Sequence, residues 1–461
     1  MRTRFSNIQI ACALAVFVVV LYTVLLAFAV SLATSHGTTT TELLSPGGDA
    51  QEYVVLAHTM LSSHRYAHTP DAPPEFFRSP GYPAFAAMVL AASDSVIALS
   101  FAQILLIALS VALIFLIGAE LFSRGVGMTA ALLFAVDPSV LADSFKTLSE
   151  PLFVALLLLI IWLLVRRDVS LTSVALAALA TGALTLTRPL GIFLAPLFVL
   201  WLVYRFRARL RRALVLALLF LAVFTATVAP WVIRNGALSG HYALSSVSTY
   251  NMLFYNIVEF EVQRGASKPE FVSSLKERLG ESDSLKLRSF EYAAREKAIV
   301  GEYLAGSVPQ YAFFHIVKTI PFFLGSGIDT MQRELFANGI LEGEPPPAIN
   351  ISGMLLSGDI GGVAQAARAH PFVTLERIYW LFVILLGAFY GAWHLFRERE
   401  KLPAALLFAA ITVVLAILTG PVSAPRYRMP VEPFLLLLAA AGATLLYAKV
   451  KRSNLWKKRT S

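Results

Sequence analysis

The chain has 461 residues, of which 57% are hydrophobic and 15% charged, against about 25% charged in soluble domains. That shortage of charge excludes an ordinary soluble enzyme. The formal charge of +9 is scattered in short basic clusters between apolar segments, which argues against a nucleic-acid partner.

The first apolar run, 8–34, follows a short basic start and outlasts the roughly 7–15-residue core of a signal peptide, so it reads as a retained span. It holds the lone cysteine, Cys12, so no intramolecular disulfide can form. Further apolar segments read at 96–118, 126–141, 149–165, 171–187, 189–204, 212–232, 374–396, 402–419 and 430–448. Each approaches the length needed to cross a hydrocarbon core of about 30 Å at about 1.5 Å per residue. The expected fold is an all-α polytopic membrane protein of about ten transmembrane helices.

An internal N-terminus puts Arg2/Arg4, Arg166/Arg167, Arg205/Arg207/Arg209/Arg211/Arg212, Arg397/Arg399/Lys401 and the basic tail on the cytoplasmic side, with both termini there. The same threading puts 35–95, 142–148, the Arg188 turn, 233–373 and 420–429 outside. Segment 305–325 is apolar but interrupted by Pro309, His315, Lys318 and Pro321. Were it to span, Arg397/Arg399/Lys401 would face outside, so it reads as a membrane-surface or re-entrant helix. Residues 265–305 are charged at helical spacing and predict a soluble external helical piece, while Glu342-Gly-Glu-Pro-Pro-Pro and Gly358-Asp-Ile-Gly-Gly predict loops. Three regions follow: 1–232 with a long first external loop at 35–95, an external and membrane-surface helical region at 233–373, and C-terminal helices with a basic tail at 374–461.

The external loops carry the candidate chemistry. Gly47-Gly-Asp49-Ala-Gln-Glu52-Tyr53 places Asp49 where an amphipathic helix begins; its plain structural role there is to cap that helix. Arg78, within Phe77-Arg78-Ser-Pro80-Gly-Tyr82-Pro83, lies in an apolar, turn-rich stretch where a snorkelling arginine is the plain alternative. The loop from Asp137 to Pro151 holds Asp143, Lys146 and Glu150; Ser149-Glu150-Pro151 suits a helix start, yet that leaves three further charges in a short loop unexplained. Arg188 in Thr187-Arg188-Pro189 and Arg426 in Arg426-Tyr427-Arg428-Met-Pro430 join spans. Arginines near a bilayer need a partner, and one phosphate shared by Arg78, Arg188 and Arg426 would supply it; separate lipid-headgroup contacts are the alternative. The eight histidines lack metal-ligand spacing, and no phosphate-binding loop, serine-hydrolase elbow or dinucleotide fingerprint is present.

In this order, the motifs around Asp49, Arg78, Glu150, Arg188 and Arg426 resemble the GT-C superfamily of membrane glycosyltransferases, in its bacterial family 39-like branch of protein O-mannosyltransferases and lipid A aminoarabinose transferases. The resemblance implies a GT-C-like helical bundle in a bacterial plasma (inner) membrane and a sugar donor linked to polyprenyl phosphate, used on the external, periplasmic face. It implies catalytic roles for Asp49 and Glu150, and donor-phosphate binding by Arg78, Arg188 and Arg426. In the scheme consistent with both lines, Asp49 is the general base of an inverting displacement, with Tyr53, Tyr82, Tyr427 and Asp137 as sugar- or acceptor-binding candidates. The acceptor is a lipid, glycan or protein. No cofactor is required; a divalent metal at Asp49, Glu150 and Asp137 is an open alternative. Two departures stand out: Asp49 is followed by Ala50 where many relatives have an adjacent acid, and the external C-terminal region is not a large separate domain. Competing functions are a lipid-linked sugar flippase or transporter, and a ligase or polymerase using polyprenyl-pyrophosphate glycans.

Overall fold

The computed structural model describes residues 6–337, 340–341, 344, 350–396 and 402–460. Arg2/Arg4, Arg397/Arg399/Lys401 and all but Glu344 of the Glu342 motif lie outside the described residues, as do the side chains of Lys457, Lys458 and Arg459. Among the described residues there is no strand, and each of the expected apolar segments is helical.

Among the described residues, six helices are long and apolar enough to cross a membrane: Asn7–Ser35, Val96–Leu121, Leu210–Ser239, Pro371–Phe396, Leu402–Thr419 with its 3-10 extension, and the apolar part of Glu432–Thr460. The helices Glu150–Val165 and Leu171–Thr187 are apolar but shorter, as is the continuous run Pro189–Arg205, whose first turns are 3-10. At about 1.5 Å per residue they reach roughly 24–26 Å. Glu150–Val165 is largely buried, packed between Val96–Leu121 and Leu171–Thr187, so protein shields most of it from lipid. The expected span at 126–141 is broken: Arg124–Ala135 and Pro138–Ser144 meet at 54°. Pro138 follows the helix-ending Val136–Asp137 step, and Asp137 starts a new helix by accepting from Ser139 N–H at 2.8 Å. The region boundary drawn at 232 falls inside Leu210–Ser239.

Large apolar side chains such as Val24, Phe28, Leu218 and Phe382 stand on the outside of the bundle, the pattern of lipid-facing helices. The segment read as membrane-surface or re-entrant is a helix pair, with Val308–Leu324 and Gly327–Ala337 meeting at 78°, and not one straight span. The helices Lys268–Leu279 and Phe290–Leu304 form their own small core with Tyr250, Leu253 and Ile257, and Phe77 inserts into it. That insertion fixes the residue beside Arg78.

A backbone contact sets the other side of the same turn. Gly81 lies against the end of Leu171–Thr187, where a Cβ would come within 2.6 Å of the Thr187 nitrogen. No other residue fits without moving one chain segment.

Candidate active site

Asp49 is the first residue of the helix Asp49–Ser63, as its sequence context predicts, but it is not the cap. That position belongs to Gly48, whose φ of +76° suits glycine, and no side chain caps the helix. The carboxylate is therefore directed elsewhere. Oδ1 accepts from Arg78 Nη2 at 2.7 Å and Oδ2 from Arg426 Nη2 at 2.9 Å.

Arg78 is held by its backbone before its side chain reaches anything. Glu75 accepts the N–H groups of Phe77 and Arg78 at 2.5 and 2.8 Å, and the Tyr66 hydroxyl donates to the Arg78 carbonyl at 3.0 Å. Arg234 Nη1 donates to the Glu75 carbonyl at 2.8 Å. Burial pushes the Glu75 carboxyl up, but its bond to His68 and the two N–H donors outweigh this and hold it below its ordinary value. The Glu75 contact correspondingly raises His68. From this turn the Arg78 guanidinium bridges Asp49 and Glu52, with Nε 2.7 Å from Glu52 Oε2. Glu52 takes a second arginine, Arg288, at 2.8 Å from Oε1.

The other half of the site comes from the bundle. Glu150, the first residue of its helix and 2% exposed, pairs with Arg188 Nη1 at 2.7 Å and lies 3.8 Å from Arg426 Nε. Arg188 sits over the Tyr427 ring at 5.3 Å from its centroid, and Arg426 donates to the Tyr427 hydroxyl at 2.7 Å. Thr147 stitches the two loops: its N–H donates to the Leu44 carbonyl at 2.8 Å and its hydroxyl to the Ala50 carbonyl at 3.2 Å.

The result is an alternating array of acids and arginines. Burial alone would raise the Asp49 carboxyl, yet the Arg78 and Arg426 guanidiniums outweigh it and hold the pKa at about 2. Asp49 and Arg426 open onto a cavity of about 240 Å³ that Asp143, Lys146, Thr330 and Glu334 also line. Ionised and partly exposed, Asp49 can accept a proton; the arginines around it can neutralise an anion.

The structure thus brings together Asp49, Arg78, Glu150, Arg188, Arg426 and Tyr427. Of these, Asp49 and Arg426 line the cavity, whereas Arg78, Glu150, Arg188 and Tyr427, like Tyr53, Tyr82 and Asp137, lie outside its lining. Tyr53 is buried beneath the Arg78 guanidinium, its hydroxyl 3.4 Å from Ser149 Oγ, and Tyr82 is fully buried with its hydroxyl donating to Gln103. Asp137 is 3% exposed and caps the helix Pro138–Ser144. The three acids raised as a metal site do not converge, and among the described residues no group of three or more His, Cys, Asp or Glu side chains is placed to hold a metal ion. The residues that sequence reading left unassigned are Glu52, Arg288, Asp143, Lys146 and Glu334. Asp143 and Lys146 carried a signal, as charges in a short loop between apolar segments.

Residues 77–233 match the family model described as dolichyl-phosphate-mannose-protein mannosyltransferase. The match contains Arg78, Glu150 and Arg188 and leaves out Asp49 and Arg426. No curated protein matches the chain. Among solved structures, the oligosaccharyltransferase of Archaeoglobus fulgidus in complex with Zn and sulfate aligns with 96% of this chain at 13% identity and a TM-score of 0.50. This chain covers 49% of that protein, about half its length. ArnT from Cupriavidus metallidurans, bound to undecaprenyl phosphate, aligns with 92% of this chain, which covers 77% of it, at 14% identity and a TM-score of 0.39.

Proposed function

Starting from the GT-C membrane glycosyltransferase fold that the chain has, we propose that the protein transfers a sugar from a polyprenyl-phosphate-linked donor to an acceptor on the external face of a bacterial plasma membrane. The observation that carries this reading is the Asp49 carboxylate, which has an arginine on each oxygen and opens onto a cavity.

Asp49 acts as the general base. It takes the proton of an acceptor hydroxyl or amine as that atom attacks the anomeric carbon; the new bond to carbon forms while the bond from carbon to the phosphate oxygen breaks. The electron pair leaves with polyprenyl phosphate, and one displacement inverts the centre. The leaving phosphate is a stable anion that needs charge stabilisation more than a proton, which Arg78 and Arg426 supply. Glu150 and Arg188 hold Arg426 from behind.

The same two arginines have a second consequence. While they engage Asp49, its basicity is low. A donor phosphate that draws Arg78 and Arg426 toward itself releases the carboxylate and makes it a stronger base, so donor binding prepares the proton acceptor.

The test is Asp49→Asn in the purified full chain, supplied with a polyprenyl-phosphate sugar. Transfer should fall by about 10²–10⁴-fold, the usual contribution of a positioned base, while donor binding persists. Near-normal turnover removes Asp49 from the mechanism.

A further inference from the structure

Sugar transfer as set out above leaves the far end of the bundle unused. Helix Glu150–Val165 begins at the array and ends beside Arg166, roughly 24 Å away at about 1.5 Å per residue. Helix Leu171–Thr187 starts there and returns to Arg188, and the run Pro189–Arg205 comes back again. Segments 166–170 and 205–212 therefore meet across the bundle from the array, and they hold seven arginines against one acid, Asp168.

Those arginines are fixed in place without being neutralised. Arg205, half-buried, donates from Nη2 to the Arg166 carbonyl at 2.6 Å and from Nη1 to the Val165 carbonyl at 3.2 Å, satisfying the end of helix Glu150–Val165. Arg212 Nη2 donates to the Val169 carbonyl at 3.0 Å. Arg205 and Arg212 both lie against the Phe206 ring, 6.0 and 4.7 Å from its centroid. Carbonyls and a ring position a guanidinium and leave its full charge. Among the described residues, Arg167 alone of the seven has a carboxylate within ion-pair reach, Glu120 at 3.4 Å.

The helix that follows makes the excess costlier. Leu210–Ser239 has Arg211 and Arg212 in its first turn, no acid there and no side-chain cap. Cations at the positive end of a helix oppose its dipole, and an anion at that point relieves both. Ser170, which caps Leu171–Thr187 by accepting from Ser173 N–H at 3.1 Å, brings a second helix start to the same place. The preference for basic residues on one side of a membrane accounts for their sign. It does not account for the walled recess between them, of about 550 Å³, which Arg167, Arg205 and Arg212 line with Asp168, Ser170 and Phe206. Arg212 also borders a second recess of about 670 Å³, walled by Leu171, Leu210, Val215 and Leu216 together with Arg209 and Arg211. Leu171, Leu210 and Val215 are exposed, so this second recess opens outward.

We propose that the paired recesses seat one anionic phospholipid of the leaflet opposite the array. Its phosphate lies among Arg167, Arg205 and Arg212, and an acyl chain lies along Leu171, Leu210 and Val215. A guanidinium has more N–H donors than the carbonyls here take, and the remainder fit phosphate oxygens. The lipid supplies the anion that the fold lacks at this point. The site stands or falls apart from sugar transfer, since no residue of it belongs to the array.

The test uses the full chain purified in an uncharged detergent and titrated with phosphatidylglycerol or phosphatidylcholine of the same acyl chains, bound lipid being followed by native mass spectrometry. Phosphatidylglycerol should bind about tenfold more tightly, the scale of one charge-assisted contact. Arg167→Gln combined with Arg212→Gln, both at exposed positions, should erase most of that preference. Arg124→Gln removes an exposed arginine at the same end of the bundle, outside both recesses, and should leave the preference in place. Equal binding of the two lipids by wild type overturns the seat, and that comparison needs no variant. An equal loss in Arg124→Gln reduces the preference to general surface charge and overturns it as well. Inorganic phosphate or glycerophosphoglycerol that displaces the lipid at equal concentration overturns a phospholipid as the occupant.

Discussion

Arg426 and Arg428 stand two residues apart on one 3-10 turn, Pro425–Arg428, and meet opposite surroundings. Arg428 is fully buried: it donates to Glu432 at 2.8 Å, to the carbonyls of Gly325 and Phe323 at 2.8 and 3.1 Å, and to Ser139 Oγ at 3.1 Å. Its guanidinium also lies 3.8 Å from the centroid of the Trp380 ring. Every one of these partners belongs to the fold. Arg426 has its shortest contacts with Asp49 and Tyr427, and only a 3.8 Å approach to Glu150. Asp49 faces a cavity, so an incoming anion can replace it. Burial alone does not separate a structural arginine from a working one; what separates them is whether a ligand can take over a partner's place.

The largest effect that tests this contrast is Arg428→Met. It leaves Glu432 buried without its countercharge, a loss of about 3–5 kcal/mol, and should collapse the yield of folded, monodisperse protein. A variant with an unchanged thermal midpoint would erase the distinction. Arg426→Ala is the counterpart. It should leave the midpoint close to wild type and weaken polyprenyl phosphate binding by about 10–100-fold, the scale of a charge-assisted hydrogen bond. Unaltered lipid phosphate affinity would return Arg426 to a structural role.

The smallest effect is on pH dependence. The Asp49 carboxyl stands at about 2, below its ordinary 3.8. Because the native value is depressed, the stabilisation from its arginines is fully present above about pH 3.8 and is lost as pH falls toward 2. Arg78→Met removes one guanidinium and should raise the pKa by about 1–2 units. The acid limb of kcat/KM, which reports the free protein, should move up with it. A limb that stays in place would mean that Arg78 does not set the basicity of Asp49.

Much of this was legible in the sequence, for a physical reason. Charge is so scarce in apolar surroundings that each arginine or acid there demands a partner, which marked Asp49, Arg78, Glu150, Arg188 and Arg426 before any geometry was known. The positions of the apolar helices were legible on the same ground, although six of them, not about ten, are long enough to span among the described residues, and Pro138 turned one expected straight helix into a bent pair. Asp137 and Asp143 looked alike in one short loop. The Asp-Pro-Ser order held the answer, because an acid before a proline in the first helical turn is a cap. Glu334 and Arg288 gave no warning. They come from stretches where charge is ordinary, and only the 78° bend and the small core around Leu253 bring them to Lys146 and Glu52.

Gly81 touches neither acid nor arginine of the array. Its backbone meets that of Leu186 and Thr187, with Arg78 three residues before the contact and Arg188 one residue after it. Two cations from opposite parts of the chain are thereby held at a fixed gauge by main-chain atoms, which cannot rotate away as side chains do. A single methyl group at that point would wedge the gauge open, and a misplacement of about 1 Å at reacting groups is enough to slow chemistry about 10²-fold. The tolerance of the whole site is set at a position where the side chain is a hydrogen atom.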